Sequence, residues 1–83
     1  LLDVREGHEW NLGRLPGAVH LPLGQLDAEV EARVPKDADV IVYCARGNRS
    51  ALAADAMQRL GYARVASMAG GFREWALGGG PVE

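Results

Sequence analysis

Between Asp39 and Gly61 the chain reads DVIVYCARGNRSALAADAMQRLG, and the order of properties in that stretch admits few folds. Val40-Ile41-Val42-Tyr43 is a run of β-prone residues without polar alternation, the pattern of a strand buried on both faces of a parallel sheet. The run stops at Cys44. A bend over residues 45–50 then carries Arg46, Gly47 and Arg49, and from Ser50 the period becomes helical. Leu52, Ala53, Ala56, Met57 and Leu60 fall on one helical face, and Gly61 stands where a helix stops. A strand that turns at once into a helix is half of a β-α-β unit, so the chain must supply a second strand parallel to the first.

The flanking sequence supplies several. LLDV is a short apolar run, followed by a polar bend from Arg5 to Gly13. Ala18 to Leu21 sit between turn residues as a short strand. Leu23 to Val34 read as a helix, with Leu26, Val30 and Val34 at four-residue steps, ended by Pro35 and KDAD. ARVASMAGG is a final strand and turn, and Phe72 to Leu77 give one or two helical turns in which Phe72 and Trp75 share a buried face. The alternation predicts an α/β domain with a mostly parallel sheet, whose ligands bind at the carboxyl ends of strands. Cys44 is at such an end.

Eighty-three residues make one domain, 1–83. The net charge of −2 argues against a nucleic-acid binder, and no apolar stretch reaches the ~20 residues of a membrane helix. Charge is uneven: residues 1–39 hold eight acids and four bases, residues 40–83 three acids and five bases. The positive excess lies in the half containing Cys44, which suits a small anionic substrate. One cysteine makes no internal disulfide, so a reducing, cytoplasmic setting is expected. The chain opens on Leu1 in what already reads as a strand, and a short N-terminal segment is expected to be missing.

The thiolate is the reactive form of cysteine, and a free thiol titrates near ~8.5. Three features here favour it: the positive charge of Arg46 and Arg49, the N-terminus of the following helix, and a glycine, Gly47, that lets successive N–H groups turn inward as an anion nest. Asn48 and Ser50 are short polar residues suited to capping that helix. No histidine is near in sequence, so the expectation is a cradle of amides and guanidinium groups.

CARGNRS resembles the active-site loop of rhodanese-like sulfurtransferases, in which C-x-x-G-x-R/S-S joins a central strand to a helix. LLDVRE, GRLPGAVHLPL, GGFREW and GGGPV resemble further motifs of that family in the expected order, with Arg14 in place of the usual histidine. The resemblance implies a small three-layer α/β domain with a central, mostly parallel sheet flanked by helices. It implies that Cys44 takes a sulfane sulfur from thiosulfate or a similar anionic donor, carries it as a persulfide and passes it to cyanide, a thiol or a sulfur-accepting protein. Arg46 and Arg49 would clamp the donor, and Ala45, Arg46, Gly47, Asn48, Arg49 and Ser50 would form the amide cradle. No cofactor or metal is implied.

Two other classes bear on the same loop. Cysteine phosphatases and arsenate reductases use C-x5-R, whereas Cys44 to Arg49 is C-x4-R, a smaller ring that suits one sulfur better than a tetrahedral phosphate. A sulfur relay, or a non-catalytic docking module within a larger protein, is the remaining alternative. Asp3 and Arg5 read as a structural pair at the end of the first strand, His8 and His20 lack metal-ligand spacing, and Trp10 reads as packing.

Overall fold

The computed structural model describes residues 1–83. Four strands, β1 (Leu2–Asp3), β2 (Val19–His20), β3 (Val40–Tyr43) and β4 (Val65–Ser67), form one sheet in the order β2-β1-β3-β4, parallel throughout. The helices are α1 (Gly7–Leu12), α2 (Leu26–Arg33, entered through a 3-10 turn at Leu23–Gln25), α3 (Asn48–Arg59) and α4 (Gly71–Leu77). None is long and apolar enough to cross a membrane.

The register puts Leu2 beside Val42 and Val40 beside Val65, so these side chains share one face. That face meets α2 and α3 in a cluster that includes Leu26, Val30, Ala53, Ala54 and Met57. Tyr62 ties the two helices together from beyond the end of α3. Its hydroxyl shares its proton between the carbonyls of Val30 (3.1 Å), which also accepts the Val34 N–H, and Val34 (2.6 Å), which lies just past the end of α2.

Asp3, Tyr43 and Ile41 point to the opposite face, which is covered only above the strands' carboxyl ends. There the Tyr43 hydroxyl accepts the Leu15 N–H at 3.1 Å, and burial pushes its pKa up to about 12. Arg5 lies with its guanidinium 4.4 Å from the Phe72 ring centroid. Ile41 remains 46% exposed, so β3 is not buried on both faces as its apolar run predicts. An unbroken apolar run reports strand propensity, but cover depends on helices elsewhere in the chain.

Three other expectations change. The bend after β1 contains α1, which buries no side chain and so gives no apolar period to read. α3 turns Ser50, Ala53, Ala54 and Met57 inward at i, i+3, i+4 and i+7, leaving Leu52 64% exposed. Phe72 and Trp75 are half-buried instead of buried: Phe72 stacks on Arg5, and the Trp75 indole donates to the Pro81 carbonyl at 2.7 Å.

Candidate active site

The end of β3 delivers Cys44 to the point where α3 begins. Gly47 is the residue before that helix, with φ +112°, a left-handed conformation that side-chain-bearing residues resist. No side chain caps α3. The sulfur takes that place: Cys44 Sγ accepts the Gly47 N–H at 3.0 Å and the Ser50 N–H at 3.4 Å. Amides that a polar cap would satisfy are thus aimed at sulfur.

What turns the loop this way is α4. Its first N–H groups hold the outward carbonyls of the loop, Phe72 N–H donating to Cys44 O (2.8 Å) and Arg73 N–H to Ala45 O (2.9 Å). With carbonyls held on one side, amides face the other. The grip requires contact closer than a side chain permits: a Cβ on Gly71 would lie 2.3 Å from Cys44 O. The GGF sequence therefore shapes the loop from outside it.

Cys44 is 1% exposed as a residue and lines a small cavity of about 170 Å³ together with Ala45, Arg46, Asn48 and Arg49. Burial alone would raise its pKa. Hydrogen bonds from the Ser50 hydroxyl and from the N–H groups of Ser50, Gly47 and Arg46 outweigh burial, and the thiol is held below its ordinary value. Lowering in the folded state means that the cradle's contribution to stability is present above the unfolded thiol's pKa and is lost as pH falls through the folded value.

The six loop residues divide by task. Gly47 and Ser50 donate to sulfur, Arg46 adds its amide, Ala45 anchors the loop through its carbonyl, and Asn48 and Arg49 line the cavity. The Arg49 side chain departs from its expected role. Its Nη1 and Nη2 donate to Glu9 Oε1 and Oε2 at 2.6 and 2.9 Å, so the guanidinium is occupied by a carboxylate of α1. Arg46 makes no ion pair and is the free cation of the cavity. Asp3 and Arg5 form a buried structural pair, and the cleft that His8 and His20 line does not include Cys44. His20 stacks on Trp10 at 4.7 Å.

Two partners escape a reading of the loop alone. Glu9 is one, separated from Arg49 by 40 residues, although Glu6-x-x-Glu9 is a helix-start signal: the Glu6 N–H donates to Glu9 Oε1 at 3.0 Å. Ser67 is the other, with its Oγ 2.7 Å from the Ser50 Oγ, which lies 3.6 Å from the sulfur. Ser50 Oγ also donates to the Gly47 carbonyl at 3.1 Å, so a Ser67 proton given to Ser50 leaves the one Ser50 proton to be shared between that carbonyl and a thiolate. Ser67→Ala is expected to slow alkylation of Cys44 at neutral pH by roughly two- to fivefold, the worth of about one hydrogen bond, and to raise the thiol's titration midpoint. An unchanged alkylation profile would show that Ser67 only packs.

This geometry agrees with the comparisons to known proteins. The family model for the rhodanese-like domain matches residues 1–77. A sulfurtransferase from Allochromatium vinosum is 37% identical over 82 residues, covering 99% of this chain and 76% of the relative. A putative sulfur carrier protein from Bacillus subtilis is 35% identical across 90% of this chain, which spans 40% of that relative. The crystal structure of a rhodanese-related protein from Thermoplasma volcanium superposes with a TM-score of 0.92 at 33% identity, covering 99% of this chain and 80% of the other. Sequence, sheet order and the strand–loop–helix around Cys44 thus agree, and the chain belongs to the rhodanese-like domain family.

Proposed function

We propose that this domain transfers sulfane sulfur through a persulfide on Cys44. The observation that carries the reading is the pair of amides, Gly47 N–H and Ser50 N–H, directed at a thiol held below its ordinary pKa. The relatives named sulfurtransferase and sulfur carrier protein support the same chemistry.

In the first step the Cys44 thiolate attacks the outer sulfur of thiosulfate or a similar donor. A Cys–S–S⁻ bond forms, the donor's S–S bond breaks, and sulfite leaves with the bonding electron pair. The terminal sulfur of the persulfide is anionic, and the amide ring offers it the donors that the thiolate used. Arg46 is placed to attract an anionic donor. In the second step a thiophilic acceptor, cyanide or a thiol, takes the outer sulfur and the thiolate is restored. Two half-reactions sharing one covalent intermediate give ping-pong kinetics.

A second reading concerns the acceptor. The named sulfur carrier relative extends well beyond the length matched here, which favours delivery to a protein thiol. Intact-mass analysis after incubation with thiosulfate, and separately with a small-molecule persulfide, tests the first step. One added sulfur atom, removable by cyanide, is expected. No adduct from either donor would leave a docking module as the better account. Faster unloading by a protein thiol than by cyanide would assign the relay.

A further inference from the structure

Arg49 lines the Cys44 cavity, but its guanidinium is already engaged. Both terminal nitrogens face one carboxylate, that of Glu9, in a part-buried fork with side chains 34% and 22% exposed. The Arg49 contact is the main reason that Glu9 titrates at about 2, so the pair stays charged across any working pH. Glu9 belongs to a helix that buries no side chain. The contact therefore does little for the core, and it cancels one of the two cationic side chains lining the cavity over Cys44.

The remaining charge is small. Arg46 is the one unpaired cation of the lining, and the reactive cysteine must itself be anionic. A dianion such as thiosulfate would enter against a thiolate with one guanidinium to offset it, whereas a donor of the type R–S–SH carries at most one negative charge at its outer sulfur and none in the protonated form that a thiolate attacks.

Resting on the sulfur-transfer reading above, we propose that Glu9 is a specificity-determining residue: by occupying Arg49 it tunes the site to organic hydropersulfides of small thiols and against dianionic thiosulfate. In the step so favoured, the Cys44 thiolate attacks the outer sulfur of R–S–SH, and Cys–S–SH forms as the donor's S–S bond breaks. The small thiolate departs with the electron pair, and no oxidant or reductant is consumed.

The test compares two donors, glutathione persulfide and thiosulfate, by kcat/KM for loading Cys44. Wild type is expected to prefer glutathione persulfide. Glu9→Gln removes the charge, keeps the shape and frees Arg49. The ratio of thiosulfate to persulfide kcat/KM should then rise by roughly fivefold, the upper range for a part-exposed ion pair, mainly through a lower KM for thiosulfate. Glu9→Asp keeps the charge and should keep the wild-type ratio. A loss common to both donors, as from a misplaced loop, cancels in the ratio. If both donors load Cys44 but Glu9→Gln leaves the ratio unchanged or lowers it, or if wild type prefers thiosulfate, the specificity role is overturned while sulfur transfer stands. If neither donor loads wild-type Cys44, both fall together.

Discussion

Replacing Cys44 with serine should lower sulfur transfer by roughly 10³-fold or more and remove every sulfur adduct from the intact mass. The hydroxyl fits the space and can accept the Gly47 and Ser50 amides that now reach sulfur at 3.0 and 3.4 Å. It does not ionise near neutral pH, and an oxygen nucleophile does not hold a transferable sulfane sulfur. The fold should survive, because the loop is braced through backbone groups that the change leaves alone, Phe72 N–H on the residue-44 carbonyl and Arg73 N–H on the residue-45 carbonyl. A thermal melt close to wild type, together with lost turnover, would separate chemistry from architecture. Retained turnover in Cys44→Ser would rule out the covalent route.

The largest effect on stability is expected at Asp3. Its carboxylate is fully buried and accepts the Arg5 N–H (2.9 Å), Arg5 Nε (3.0 and 3.1 Å) and Arg5 Nη2 (2.7 Å). Arg5 Nη2 also donates to the Gly13 carbonyl, and the guanidinium lies against Phe72. The pair thus ties β1 to the segment after α1 and to α4, the helix that shapes the cysteine loop. Burial alone would lower the Arg5 pKa, but hydrogen bonding and charge from Asp3 more than reverse it, so Arg5 stays charged. Asp3→Ala would leave that charge buried and unpaired at a cost of about 3–5 kcal/mol. That is a large part of the roughly 5–15 kcal/mol that holds a domain together, and a melting temperature lower by roughly 15–30 °C is expected. An Asp3→Leu/Arg5→Met double variant should recover much of the loss, because it removes the stranded charge. If the double variant melts as low as Asp3→Ala, packing rather than the unpaired charge accounts for the effect.

What sequence alone reveals here follows the range of the forces involved. β3, the bend and α3 are legible because strand propensity, the glycine and the helical period act within a few residues, and the same holds for α2. α1 is hidden: none of its residues is fully buried, and its contacts, Glu9 with Arg49 and Trp10 with His20, reach 40 and 10 residues along the chain. The exposure of Ile41 and Leu52 depends on which faces the other helices cover, information that no local pattern carries. At the site, Cys44 and its ring of amides can be read from the loop, but the partners of its side chains cannot. Two arginines near a cysteine look like two donor clamps until Glu9 is seen to occupy one of them. Ser67, a lone serine in a short strand, gives no signal until β4 is placed beside β3 and α3.

These observations make the cysteine's state the common dependency of chemistry, donor choice and loop stability. The most direct measurement is the rate at which iodoacetamide modifies Cys44 in the native protein as pH is varied. The thiol is nearly buried, yet it borders the cavity that Arg46 also lines. Its reaction should therefore proceed without unfolding and titrate with a midpoint clearly below the ~8.5 of a free thiol. A midpoint at or above that value, or modification only after denaturation, would contradict a main-chain cradle that keeps this sulfur ionised and open to a donor.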